Sequence, residues 1–366
     1  MNVAFMDNRE ELVRAIEASI LNHEHCRSKE EKHGGLLYKI KYIVWYMLLI
    51  LISPYKESKS DKFVCCFTPV NRMRMKSYAD EEEVYFFGQQ NSSLNTMKVN
   101  RSFFSDCKFN RRCRIATSGF VFFLRNRQRL KGNLHFVLEY YSIYKFLIDH
   151  PINKIVTPGM YDRYCTFISY IGHSLHIKLI GVQDGAAINI NVPKKIYCNE
   201  MYAFDKYEAE IIRGFIRNEN CKFIYTGFSS IINWDMYPKT EKRIIAIASQ
   251  DWFTSRTINL IDELMSIIDK KKFLVIVFPH YRESLDDYND LKKRHPYLIV
   301  EPIKRYKNID LLITFYSTIV YDFWSVNERL DVVCLRIQGY EPSYYTRPNV
   351  NVISYPKQIV EYLNKL

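Results

Sequence analysis

The chain has 366 residues, enough for two domains of ordinary size, and its 48% hydrophobic and 25% charged residues describe a globular protein rather than a disordered one. Nine Cys occur without a repeated spacing or a CxxC pair, which indicates neither a disulfide framework nor a zinc site and fits a reducing cytosol. The net charge of +12 is concentrated: Lys98 to Lys131 holds ten Lys or Arg against one acid, Asp106, for +9 of the total.

The first twenty residues are amphipathic and mixed in charge, unlike a cleavable signal peptide. Next comes an apolar run, Tyr42 to Ile52, flanked by Lys39, Lys41 and Lys56. It is too short for a span of roughly 20 residues, so it reads as a buried helix or as one dipping into a membrane face, with Trp45 and Tyr46 near the interface. The basic stretch that follows interleaves Arg111, Arg112, Arg114, Arg125, Arg127 and Arg129 with Phe103, Phe104, Phe120, Phe122 and Phe123. Nucleic acid, anionic phospholipid and a diphosphate-bearing acceptor all suit such a patch. No RNA- or DNA-binding signature accompanies it.

Strands are expected over Lys62–Phe67, Val84–Phe87, Lys154–Thr157, Ile177–Val182, Lys195–Cys198 and Lys222–Thr226, with helices over Leu134–Ile148, up to His173, and over Tyr202–Ile216. Asn233–Glu241, polar and holding Pro238, reads as a linker. A second series follows: strands Arg243–Ala248, Phe273–Phe278, Tyr297–Val300, Ile309–Phe315 and Val332–Leu335, and helices Thr257–Ile268, Asp286–Arg294, Thr318–Asn327 and Pro356–Leu366. This alternation predicts an α/β protein of two tandem Rossmann-like domains whose parallel sheets face a cleft. The expected division is an N-terminal helical, membrane-associating segment over 1–60, an acceptor domain over 61–235 and a nucleotide-sugar donor domain over 236–366.

In open parallel sheets ligands lie beyond the carboxyl ends of the strands, and several chemistry-bearing residues fall there. Asp184, in Gln183-Asp184-Gly185, suits a general base on a sugar hydroxyl, or merely a helix cap. His280, after Phe278-Pro279, can donate to a phosphate, although a lone His is most often structural. Glu301, after Leu298–Val300, can accept from ribose hydroxyls or stand as an exposed loop acid. Ser317 and Thr318, after Tyr316, read as helix-cap residues whose hydroxyls and free backbone N–H groups suit a phosphate. His173 and His176 lack a third ligand, and no DxD stands at a strand end, so no metal is expected. P-loop, GxGxxG and GxSxG motifs are absent.

In this order, Gln183-Asp184-Gly185, Pro279-His280-Tyr281 and Ser317-Thr318 resemble motifs of bacterial GT-B glycosyltransferases that build surface polysaccharides, above all sialyltransferases and related CMP-nonulosonate or CMP-Kdo transferases. Two departures are visible: Gln183 replaces an acid, and Tyr281 replaces a proline. The resemblance, from about Lys154 to Ile337, implies a CMP-sugar as donor substrate and no separate cofactor. Asp184 would be the base, His280, Ser317 and Thr318 would hold the CMP phosphate, Gly185 would belong to the same site, and Glu301 would hold the ribose. It also implies a glycan or lipid-linked glycan acceptor, no nucleic-acid partner, and work at the inner face of the cytoplasmic membrane. A UDP-sugar or CDP-glycerol donor is the enzymatic alternative, and an RNA-binding module the distant one.

Overall fold

The computed structural model describes residues 3–26, 107–130, 133–150, 152–158, 163–183, 195–228, 234–250, 254–280, 283–301, 305–315, 317–336 and 342–363, the strands at 62–65 and 84–85, and positions 40, 43, 44, 46–48, 50 and 51. The chain forms two compact units, the second taking Thr226–Leu366. Each holds one six-stranded sheet, and every strand pairing among the described residues is parallel. This is the tandem Rossmann-like α/β architecture expected from the alternating pattern.

The first unit runs α1 (Val3–Cys26), β1 (Lys62–Cys65), β2 (Val84–Tyr85), α2 (Phe109–Asn126), α3 (Leu134–Asp149), β3 (Lys154–Pro158), α4 (Arg163–Ser174), β4 (Lys178–Val182), β5 (Glu200–Ala203), α5 (Lys206–Arg213) and β6 (Lys222–Tyr225). Its strand order is β2-β1-β3-β4-β5-β6, so chain direction across the sheet reverses between β1 and β3. Leu12, Val13 and Ile16 of α1, Phe136, Tyr140 and Ile143 of α3, and Phe167, Ile168 and Ile171 of α4 share one core with Ile155 of β3 and Leu179 of β4. Helix α1 is therefore part of this core, held also by Arg129, which pairs with both Glu10 and Glu17. Close approach of α4 to β4 needs Gly172: a Cβ there would meet Leu179 Cδ2 at 2.6 Å.

The apolar run divides by face. Its described positions are helical; Tyr46 and Ile50 enter the core, and the Tyr46 hydroxyl lies 2.7 Å from Ser142 Oγ of α3. Val44, Met47, Leu48 and Leu51 are exposed, while Trp45 lies outside the described residues. The strand expected at Lys195–Cys198 is reduced to a single bridge, Ile196 to Ile216, and the ladder strand is Glu200–Ala203, inside what reads as the start of a helix. The cause is Asp205. Its carboxylate accepts from Glu208 N at 2.9 Å and starts α5 at Lys206, leaving Met201 and Ala203 to alternate inward as a strand. The basic stretch forms a helix, α2, in addition to the elements expected from the pattern.

The second unit runs β7 (Trp234–Asp235), β8 (Arg243–Ala248), α6 (Thr254–Ile267), β9 (Phe273–Phe278), α7 (Asn289–Arg294), β10 (Ile299–Val300), β11 (Arg305–Tyr306), β12 (Leu311–Thr314), α8 (Ile319–Trp324), β13 (Asp331–Leu335), β14 (Val350–Ile353) and α9 (Lys357–Leu363). Its sheet order, β10-β9-β8-β12-β13-β14, is the dinucleotide-fold order 3-2-1-4-5-6 with β8 as the first strand. Ile245, Ile247, Val275, Val277, Leu311 and Ile313 fill its core with Leu260, Ile261 and Leu264 of α6. The stretch read as a linker lies in this unit, where β7 pairs with β11 in a small separate sheet. Strand β14, and the 3-10 turn Ser343–Thr346 before it, had no counterpart in the sequence reading.

Candidate active site

In the second sheet the order reverses between β8 and β12, where an open α/β sheet leaves a crevice at its carboxyl edge. Ser249 follows β8, His280 follows β9, Glu301 follows β10, and Ser317 and Thr318 follow β12. The sheet thus sets His280, Glu301, Ser317 and Thr318 on one edge. Strand spacing of roughly 4.8 Å puts β9 about 10 Å from β12, and β10 about 14 Å. The edge therefore spreads these residues over several strand widths rather than at one point.

Glu283 joins the loops after β8 and β9, a role the sequence did not reveal. Its Oε2 accepts from the backbone N–H of His280 at 2.6 Å and from the Ser249 hydroxyl. Its Oε1 accepts from Thr254 Oγ1 at 2.6 Å, at the start of α6, and from the Tyr288 hydroxyl at 3.2 Å. The His280 N–H also reaches Ser249 Oγ at 2.9 Å. Tyr288 is fully buried, and burial pushes its phenol above the ordinary range, so it stays a neutral donor. The signal available in the sequence was an acid three residues beyond a strand-end His and followed by Ser284.

On the other side of the crevice, two tyrosines hold the loop after β12. Tyr345 donates to Phe315 O at 2.6 Å and Tyr344 to Ser317 O at 3.1 Å. Tyr344 packs edge-on against Tyr321 and Trp324 of α8. Ser317 Oγ accepts from Ile319 N at 3.3 Å. Thr318 occupies the cap position with its backbone already helical (φ −70, ψ −9), so its side chain makes no capping bond, contrary to the cap reading. Helix α8 is short, six residues, and ends at Trp324 rather than Asn327. At the sheet edge, Glu301 Oε2 accepts from the Tyr306 hydroxyl at 2.7 Å; burial, then this carboxylate, pushes the phenol up to about 12.

Asp184, Gly185, Tyr281 and Tyr316 lie outside the described residues. Gln183 is buried, and both ends of its amide are used: Nε2 donates to Glu208 Oε2 at 3.0 Å, and Oε1 accepts from Phe204 N at 2.9 Å. Glu208 is itself fully buried. An acid at 183 would set one buried carboxylate against another, which gives a physical reason for the amide at this position.

A pocket of about 740 Å³, lined in part by Tyr237, Lys239, Arg243 and Asp310, lies at the amino ends of β8 and β12. It is on the opposite edge of the sheet from the residues above, whereas ligands of open α/β sheets bind beyond the carboxyl ends of the strands.

No protein-family model matches the sequence, and no curated protein matches it either. Solved structures do. The glycotransferase of kitacinnamycin aligns at 8% identity and a TM-score of 0.50, covering 83% of this chain and 90% of that one. UDP-GlcNAc 2-epimerase from Neisseria meningitidis, solved bound to UDP-GlcNAc, aligns at 12% identity and 0.50, covering 83% and 91%. UDP-N-acetylglucosamine 2-epimerase from Rickettsia bellii gives 12%, 0.50, 83% and 87%. At these identities the likeness defines the fold, which is GT-B.

Two outcomes follow for stability. Glu283→Gln leaves one oxygen where two served, and bonds to a charged acceptor contribute about 2 kcal/mol; the melting temperature should fall by roughly 4–8 °C. Gln183→Glu should cost about 3 kcal/mol through an uncompensated buried charge, lowering it by roughly 6–12 °C. Differential scanning calorimetry of each variant checks both, and an unchanged melt would show that the contact in question carries no load.

Proposed function

We propose that this protein is a metal-independent glycosyltransferase that moves a sugar from a nucleotide donor to a cell-surface glycan or lipid-linked acceptor, working at the inner face of the cytoplasmic membrane. The observation that carries this reading is the edge of the second sheet. Loops after β8, β9 and β12 present Ser249, His280, Ser317 and Thr318 around a switch-point crevice, on a fold shared with a glycotransferase.

The donor is read as a UDP-sugar, because UDP-GlcNAc is named for the epimerases that share this fold. A CMP-nonulosonate or CMP-Kdo donor is the second reading, favoured by the order Gln183-Asp184-Gly185, Pro279-His280, Ser317-Thr318.

Under either donor the division of labour is the same. Asp184 takes the proton of the acceptor hydroxyl as that oxygen attacks the anomeric carbon. The bond from that carbon to the phosphate oxygen breaks, and the negative charge gathers on the departing nucleotide. His280, Ser317 and Thr318 donate to that phosphate, and Glu301 accepts from the ribose. Fixed donors where charge develops are worth ~10²–10³ in kcat each.

A thermal-shift panel with UDP, CMP, CDP and a short RNA tests the donor. A nucleotide at about 100 times its Kd adds roughly 2.7 kcal/mol. UDP should shift the melt; a shift by CMP alone returns the donor to the CMP class, by CDP alone to the CDP-glycerol class, and by RNA alone overturns the transferase reading. Asp184→Asn should abolish sugar transfer and keep the nucleotide shift. Loss of the shift in a folded Asp184→Asn protein makes Asp184 a binding residue instead. Interconversion of UDP-GlcNAc with its C2 epimer, without acceptor, would reassign the site to epimerisation.

A further inference from the structure

We propose that the first unit carries a surface that seats on an anionic lipid bilayer, built from the outer faces of the 40–51 segment and α2. The inference rests on the membrane clause of the proposed function and specifies which side chains make the contact.

A helix packed on a core ordinarily turns its polar face outward. The described positions of the 40–51 segment do not. All its described positions are apolar, and while Tyr46 and Ile50 are buried, Ile40, Val44, Met47, Leu48 and Leu51 are exposed, Leu51 by 61%. Their spacing of four, three, one and three residues draws a stripe along one side of a helix. Helix α2 repeats the arrangement: Ile115, Gly119 and Phe122 face the core, and Phe109, Phe120, Val121 and Leu124 are exposed.

Arg112 ties the two together. Its Nη1 donates to Ile50 O at 3.1 Å and its Nε to Cys107 O at 2.7 Å. This bond brings the end of the stripe to the first turn of α2, where Phe109 is exposed.

Charge decides the occupant. Helix α2 contains no acid. Arg111 pairs with Asp149, and Arg129 with Glu10 and Glu17, so those cations serve the fold. Arg114, Arg125 and Arg127 are exposed and form no ion pair among the described residues. At 100° per residue, Arg114 and Arg125 fall on the same side of α2 as Val121. Apolar side chains flanked by unneutralised arginines fit an anionic bilayer interface, in which the side chains enter the acyl boundary and the guanidinium groups meet phosphate. A twofold contact with a second copy would bring like charges together. No helix among the described residues is long and apolar enough to cross a membrane, so the contact proposed is one that lies in the interface.

The test is co-sedimentation with phosphatidylcholine vesicles, with and without phosphatidylglycerol, at low and high salt. Wild type should bind the anionic vesicles and release as salt rises. Arg114→Gln, Arg125→Gln and Arg127→Gln together should weaken binding ~10²-fold, at about fivefold per arginine. Val44→Ser, Met47→Ser and Leu51→Ser together should weaken it by at least ~10²-fold, leaving Tyr46 and Ile50 in the core. If that variant fails to fold, the arginine variant decides. Arg129→Gln should bind as wild type. Wild type that ignores anionic vesicles at low salt overturns the proposal, as does a folded arginine variant that binds unchanged. A lipid-free dimer that the serine variant dissociates would make the stripe a self-association face and also overturn it. Vesicle binding without any nucleotide shift would sink the transferase reading and leave this one standing.

Discussion

The second unit depends on one carboxylate. A parallel sheet ends in loops whose backbone donors point away from any ladder, and those loops need an acceptor that serves several of them. Glu283 meets that need with two oxygens and four donors: a backbone N–H after β9, a hydroxyl after β8, a hydroxyl opening α6, and a buried phenol. Hydroxyl and amide dipoles, rather than a guanidinium, solvate its charge in these bonds. Such a network is strong while every member is present, and costly once one is lost. The positions of Ser249 and His280 are consequences of it.

The facing side of the crevice is built differently. The loop after β12 is held through its carbonyls, by phenols reaching back from the turn before β14. Arg347, next to that turn, stacks over Phe228 and Trp324, closing an aromatic block beneath α8. One wall therefore rests on a charged acceptor and the other on aromatic packing with neutral hydrogen bonds.

The sheet-forming half of this architecture was legible because buried parallel strands are written as continuous apolar runs. Arg243–Ala248 and Phe273–Phe278 have the same limits in sequence and structure. Strand β5 was not legible, since Glu200–Ala203 carries only two inward residues and its limit is set by the Asp205 cap rather than by hydrophobicity. Helix α2 was hidden by its own outer face: apolar residues on both sides erase the period that identifies a helix, and the arginines suggested a binding strip instead. Among site residues, the strand-end positions of His280, Glu301, Ser317 and Thr318 could be read directly. Tyr344 and Tyr345 act through hydrogen bonds to a loop distant in sequence, and no local pattern marks those, whereas Glu283 reaches Ser249 and Thr254 as well as its neighbour His280. Gln183 looked like a substituted motif residue, and its reason lies 25 positions away in Glu208.

Helix α1 packs into the first unit's core against α4, and that pairing sets an order of events in synthesis. Leu12, Val13 and Ile16 leave the ribosome about 150 residues before α4, which at ~5–20 residues per second is a delay of roughly 8–30 s. Throughout that interval the first helix lacks its principal partner, α4, and the 40–51 segment waits 96 residues for the α3 contact of Tyr46. The nascent chain is therefore adhesive over these two helices while it lengthens, and whichever surface shields them first meets the protein before its first unit can close.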